Sequence, residues 1–231
     1  MRGRVALVTG AAGGIGAALV RELAGRGWRT AGLDLRPAPD ADHSVGVDVA
    51  ERAQVCAAVR RIERELGPVE AALCAAGHYA IVPMSDIAWP DWRRMLRVHL
   101  GGVVNVCSAV APGMTERGEG AVVAVASDLA IGGGSAEAHY AAANGAVIGF
   151  VRSLAAELAP SGVRVNAVAP GPTDTAMLPS DSPWRRPSFL QSLPAGRLTS
   201  PEEVALAAAY LVEDGTFCAG EVLSPNGGTV I

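Results

Sequence analysis

The sequence predicts an α/β fold: a doubly wound parallel sheet with helices on both faces. Three observations predict it. Short apolar runs alternate with longer stretches whose apolar residues recur at helical spacing. A glycine-rich turn joins the first run to the first helical stretch. Asp34 closes the second run, 18 residues beyond Gly16 of that turn.

The elements follow in order. RVALVTG (4–10) is a continuous apolar run ending in glycine, as a strand buried on both faces requires. GIGAALVRELAGRG (14–27) has helical spacing and a glycine stop. TAGLDL (30–35) reads as a strand, and AERAQVCAAVRRIERELG (50–67) as a helix with a charged face. VEAALCAAG (69–77) is a strand, 89–112 a helix, AVVAVAS (121–127) a strand, 137–159 a helix and VRVNAVAPG (163–171) a strand. Residues 172–200 are rich in Pro, Ser and Thr, and read as a long loop or substrate lid. PEEVALAAAYLVE (201–213) opens with proline in its first helical turn, and a last short strand is expected near EVLSP. No repeat or linker interrupts the series, so residues 1–231 read as one domain with a real core.

Half of the residues are apolar and 18% are charged, which suits a folded chain rather than a disordered one. The net charge is −4 without a basic block, which argues against nucleic acid as a partner. Cys56, Cys74, Cys107 and Cys218 have no metal-like spacing, so no metal site is expected and the thiols read as reduced. MRGRVALVTGAAGG lacks the apolar core of a signal peptide, and no apolar run has membrane-spanning length. These features predict a soluble cytoplasmic protein.

TGAAGGIG lets the backbone turn tightly and approach a phosphate at a helix N-terminus, through Gly10, Gly14 and Gly16. Asp34 stands where an acid takes the adenosine ribose hydroxyls and repels a 2′-phosphate, which favours NAD over NADP. Arg36 nearby works against that preference. A structural turn and an ordinary strand-end aspartate are the plain alternatives. In HYAAANGAV, Tyr140 and Asn144 share one helix face.

In this order the motifs resemble those of the short-chain dehydrogenase/reductase family over essentially the whole chain. TGAAGGIG, with Ile15 inside it, matches the family's TGxxxGxG, and Asp48-Val49 matches its adenine contact. CAAG (74–77) stands at its NNAG, with Ala76 and Gly77 retained. PGPTDT (170–175) resembles the segment that holds the nicotinamide end through Pro170, Gly171, Thr173 and Thr175. GRLTSPEEVA and SPNGG resemble its C-terminal signatures. The resemblance implies a Rossmann-type sheet of about seven strands and a homotetramer or homodimer. The all-round apolar helix that follows Tyr140 fits such an interface.

The resemblance also implies the chemistry. Ser127 lies thirteen residues before Tyr140, as the family's catalytic serine does. The serine polarises the substrate oxygen, and the tyrosine passes the proton while hydride moves. Two positions depart from the pattern: Asn144 replaces a lysine and His99 replaces an asparagine, with Asn105 nearby but off register. An ordinary tyrosine has a pKa of ~10, so about one in a thousand is phenolate at neutral pH. Without the lysine's charge, the expected activity is slow, favours reduction and oxidises best at alkaline pH. His99 is a candidate proton shuttle, with a satisfied core histidine as the alternative.

His78 and Tyr79 follow the CAAG turn and are candidate substrate contacts, as is His139. Asp128 beside Ser127 either orients the substrate or sits in a solvated turn. Trp184, in PSDSPWRRPSFLQS, belongs to the substrate lid or to a mobile surface loop. The expected function is an NAD(H)-dependent oxidoreductase acting on a small or medium carbonyl or alcohol. A lyase, dehydratase, cyclase or isomerase on the same fold is the alternative, as is a silent NAD-binding subunit.

Overall fold

The computed structural model describes residues 3–230. β1 (Val5–Thr9) is buried throughout, with Val5 and Leu7 in one apolar layer and Ala6 and Val8 in the other. This alternation is why its sequence is continuously apolar. The chain continues through α1 (Gly14–Gly25), β2 (Arg29–Asp34), β3 (His43–Gly46), α2 (Arg52–Leu66), β4 (Val69–Cys74) and α3 (Trp89–Arg117). Then come β5 (Gly120–Val125), α4 (Leu129–Gly132), α5 (Ala138–Leu158), β6 (Val163–Val168), α6 (Pro187–Ser192), α7 (Pro201–Glu213) and β7 (Val222–Leu223).

All seven strands are parallel, in the order β3-β2-β1-β4-β5-β6-β7. Val55 and Ile62 of α2, Val106 and Val110 of α3, and Val147 and Val151 of α5 pack on one face. Leu19 and Leu23 of α1, with Val204 and Leu211 of α7, pack on the other. Each such side chain contributes about 1.5–3 kcal/mol by leaving water. The chain winds outward in opposite directions from β1 and β4. Their carboxyl ends therefore diverge into a crevice, where sheets of this kind bind ligands.

The differences from the sequence reading have physical causes. β3 has only four residues, at an edge, and its alternating half-buried and exposed side chains leave no apolar run. Strands read as ending at 77, 127 and 171 stop at Cys74, Val125 and Val168, so the motif residues form loops beyond the sheet. α3 passes Pro112 and ends at Arg117, five residues beyond the expected end. Proline removes one helix hydrogen bond, but Val110 and Met114, on either side, are almost fully buried and hold the helix in place. By length and composition α3 is apolar enough to cross a membrane, unlike the sequence expectation, yet its apolar side packs into the core.

Residues 172–200 contain a helical turn at Pro183–Arg185, then α6, and a parallel bridge from Thr173 to Thr199. Thr199 N donates to Pro172 O at 2.9 Å, and Asp174 N to Thr199 O at 2.9 Å, so the segment is pinned at both ends. α7 begins with a capping box. Glu203 N donates to Ser200 Oγ at 3.1 Å, and Ser200 N to Glu203 Oε2 at 2.8 Å.

Candidate active site

The glycine turn is built for close backbone approach. Gly10 has φ +67°, and a Cβ on Gly16 would lie 2.0 Å from Gly10 O. Side chains are thus excluded here, and the first-turn amides of α1 meet no acidic side chain of that turn. A dinucleotide phosphate fits this cradle. Asp34 Oδ2 accepts from Ala12 N at 3.1 Å and Oδ1 from Arg36 N at 3.0 Å, so the carboxylate is locked beside the turn. Thr9 Oγ1 accepts from Ala75 N at 3.1 Å and Ala76 N at 3.2 Å, fixing the CAAG turn next to it. Thr175 packs against Gly14, where a Cβ would lie 2.4 Å from its Cγ2.

Asp48 Oδ1 accepts from Ala50 N at 2.9 Å in the loop that starts α2. Val49 is buried, and its carbonyl accepts from Asn105 Nδ2 at 2.8 Å. Through that bond the off-register Asn105 ties α3 to the loop after β3.

A cleft opens beyond the turn. Ile15, Ala76, Gly77, Pro170, Gly171, Thr173 and Thr175 line it, together with Ser127, Tyr140, Asn144 and His99. Tyr79, Asp128 and Trp184 also line it, whereas the side chain of His78 does not. Gly10, Gly14, Gly16, Asp34, Asp48 and Val49 lie outside this cleft, around the glycine turn and the loop before α2. His139 is buried beside Trp92, their rings 6.0 Å apart, and is not in the cleft wall.

Ser127 Oγ donates to Asp128 Oδ1 at 3.3 Å and accepts from Leu129 N at 3.2 Å. Burial pushes the Tyr140 phenol up to about 12, and the Asp128 and Glu137 carboxyls add to the rise. The Ser127 and Asn144 side chains work the other way without offsetting it. Asn144 is 1% exposed, and its Nδ2 donates to Tyr140 O at 3.0 Å, one helical turn back. Its amide is therefore partly engaged by its own helix.

His99 lies edge-on to Tyr140, ring centroids 5.3 Å apart. Its Nε2 is 3.1 Å from His78 N and 2.8 Å from His78 O. The ring occupies the space a Cβ on Gly77 would take, 2.7 Å from Cε1. Burial holds the imidazole down at about 4, so it is neutral at neutral pH. Of the two readings of His99, burial on α3 favours the core histidine over the proton shuttle.

Asp128 is 3% exposed, and burial pushes its carboxyl up from 3.8 to about 6. It is not the solvated turn residue of the alternative reading. The folded state therefore binds more protons than the unfolded state between those values, and stability falls as pH rises through that window. Asp128→Asn is expected to stabilise the fold at pH 7 by about 1–3 kcal/mol, with little gain below about pH 4. Urea denaturation from pH 4 to 7 checks both the sign and the window.

Sequence reasoning missed Glu137. It is 1% exposed and lines the cleft, one helical turn before Tyr140. Tyr79 Oη donates to Glu137 Oε1, and Trp184 Nε1 donates to Tyr79 Oη at 2.8 Å. Burial raises the Glu137 carboxyl above its ordinary range. The spacing to Tyr140 was a signal in the sequence. Its inward turn was not, because it depends on Ala136 at φ 62°.

Comparison with known proteins gives this architecture its class. Residues 10–230 match the family model described as Enoyl-(Acyl carrier protein) reductase. A cis-4-hydroxycyclohexanecarboxylate dehydrogenase of Sinomonas cyclohexanicum is 38% identical, covering 97% of this chain and 96% of that one. A 3-oxoacyl-[acyl-carrier-protein] reductase of Vibrio cholerae is 33% identical, covering 99% and 98%. The solved structure of Thermoplasma acidophilum aldohexose dehydrogenase superposes with a TM-score of 0.92 at 28% identity, covering 98% and 94%. At this level the protein is a nicotinamide-dependent oxidoreductase. The chain belongs to the short-chain dehydrogenase/reductase family.

Proposed function

We propose that the protein is an NAD(H)-preferring reductase of a small or medium carbonyl compound, working with an altered set of catalytic residues. The observation that carries this reading is Tyr140. Its phenol is held at about 12 by burial, next to Ser127, with no lysine or arginine among the described residues of the cleft lining. A phenol with that value is a proton donor at neutral pH and a scarce base. Reduction needs the donor.

The nicotinamide, when bound, supplies or takes up hydride. Gly10, Gly14, Ile15 and Gly16 give the phosphates a backbone cradle, and Asp34 offers its carboxylate to the ribose hydroxyls. Asp48 and Val49 bound the adenine side. Ala76, Gly77, Pro170, Gly171, Thr173 and Thr175 form the wall for the nicotinamide end. The Ser127 hydroxyl turns its one proton from Asp128 Oδ1 to the substrate oxygen, and Tyr140 Oη delivers its proton. Asn144 and the neutral His99 hold Tyr140 and the floor of the site rather than charging it. Residues 172–200 act as the lid, closing Trp184 over the substrate. The exposed small-residue side of α5, with Ala142 and Gly149, supports pairing into a homodimer or homotetramer.

The cofactor preference has its own test. Arg36 is exposed, with its Nη2 3.5 Å from Ala12 O, while the Asp34 carboxylate is fixed beside the glycine turn by the Ala12 and Arg36 amides. Calorimetry is expected to give NADH binding at least about tenfold tighter than NADPH, roughly 1.4 kcal/mol. Asp34→Ser is expected to bring the two within about threefold. Tighter binding of NADPH by the unmodified protein would overturn the preference. Binding of neither would favour a silent subunit.

A further inference from the structure

The substrate end of the cleft is acidic. Among the described residues its lining holds two carboxyls, Asp128 and Glu137, and no lysine or arginine. Arg185 of the covering segment is already engaged: it donates to Leu178 O at 2.9 Å and Thr175 O at 3.2 Å, and pairs with Asp174 at 2.7 Å. The histidine in that lining, His99, is held neutral by burial.

Both carboxyls are placed for recognition. Asp128 uses Oδ1 toward Ser127, while its buried Oδ2 has no hydrogen-bond partner among the described residues. A buried acceptor without a donor is uncommon and calls for one. Glu137 precedes α5 but makes no capping bond with its side chain. Its carboxylate turns instead toward Tyr79, and the backbone is shaped around it. A Cβ on Gly134 would lie 1.9 Å from Glu137 Oε2, and Ala136 adopts the left-handed conformation. Non-glycine residues are strained there, and such strain concentrates at ligand sites.

We propose that Asp128 and Glu137 select a carbonyl substrate bearing a hydrogen-bond donor, a hydroxyl or an ammonium group, away from the reacting carbon, and reject one bearing a carboxylate there. Asp128 Oδ2 and the Glu137 carboxylate accept from the donor. A substrate carboxylate would face two acceptors with no cation between them, which disfavours its ionised form. Tyr79 passes a hydrogen bond from Trp184 to Glu137, so the covering segment and this acceptor close on the substrate together. This assignment rests on the reductase reading above.

Four ketones test it: cyclohexanone, 4-hydroxycyclohexanone, 4-aminocyclohexanone and 4-oxocyclohexanecarboxylate. Their binding to the full-length protein is measured by calorimetry with and without NAD⁺, and their kcat/KM with NADH and NADPH. The hydroxy or amino ketone is expected to exceed cyclohexanone at least tenfold, and the carboxylate to fall at least tenfold below it. Glu137→Gln is expected to shrink the carboxylate penalty at least fivefold. It should also abolish an amino preference while keeping a hydroxyl preference, which separates the two donors. Asp128→Asn should likewise relieve the carboxylate penalty, and circular dichroism confirms that each variant folds. A flat series, a preference for the carboxylate, or no binding of any of the four overturns the assignment. Selective binding without turnover by either cofactor would instead overturn the reductase reading and leave this one standing.

Discussion

Tyr140→Phe is expected to lower ketone reduction by about 10²–10⁴-fold, the usual effect of a positioned general acid. Cofactor affinity should stay within about threefold, because the glycine turn and Asp34 are untouched. The substitution removes one hydroxyl and keeps the ring, whose edges meet Tyr79 at 5.0 Å and His99 at 5.3 Å between centroids. A folding defect is therefore not the expected cause of the loss. Single-turnover mixing of the NADH-loaded protein with substrate reads the hydride step directly. Retention of more than a tenth of the rate would move the proton elsewhere. Asp128, with its carboxyl at about 6 and next to Ser127, would then be the donor.

Asn144→Lys is expected to have the opposite sign, and in one direction only. With the phenol at about 12, roughly one molecule in 10⁵ carries phenolate at pH 7. A cation beside it lowers the value by roughly 1–3 units. Alcohol oxidation at pH 7 should then rise by about 10- to 1000-fold, and its alkaline limb should move to lower pH by the same number of units. Reduction should change far less, since the protonated phenol is already in excess. Position 144 is 1% exposed, so a lysine there carries a desolvation penalty. Asn144→Met, of similar length and without charge, separates the effect of the field from that of packing. Equal oxidation rates for the Lys, Met and unmodified proteins across the pH range would remove phenolate scarcity as the explanation.

The parts of the site legible in the sequence are those set by local spacing. TGAAGGIG needs its glycines for backbone reasons confined to one turn, and a Cβ on Gly16 would clash with Gly10 O at 2.0 Å. Five strands were legible from apolar runs, because strands buried on both faces are predominantly apolar, and β7 only as a short strand near EVLSP. Ser127 and Tyr140, thirteen residues apart, reach the same cleft because a strand end and the following helix bring them there. β3 was not placed in the sequence, where the family resemblance implied only about seven strands, since an exposed edge imposes no such pattern.

Spacing does not encode environment, and there the reading changed. His99 was open between a proton shuttle and a core histidine; α3 buries it and holds it neutral at about 4. Of the two candidate substrate contacts after the CAAG turn, Tyr79 lines the cleft and His78 bonds His99 through its backbone. Glu137 was missed because its partners are distant in the chain: Tyr79, 58 residues away, donates to it, and Trp184, 105 residues beyond Tyr79, donates to Tyr79. The residue order thus dictated a doubly wound sheet and a tight glycine turn, both matters of local backbone preference or periodicity, whereas the serine–tyrosine pair was legible only through the family resemblance. Which groups are charged inside the cleft was decided only when distant segments packed together, because desolvation depends on what surrounds a group in space and not on its neighbours in the chain.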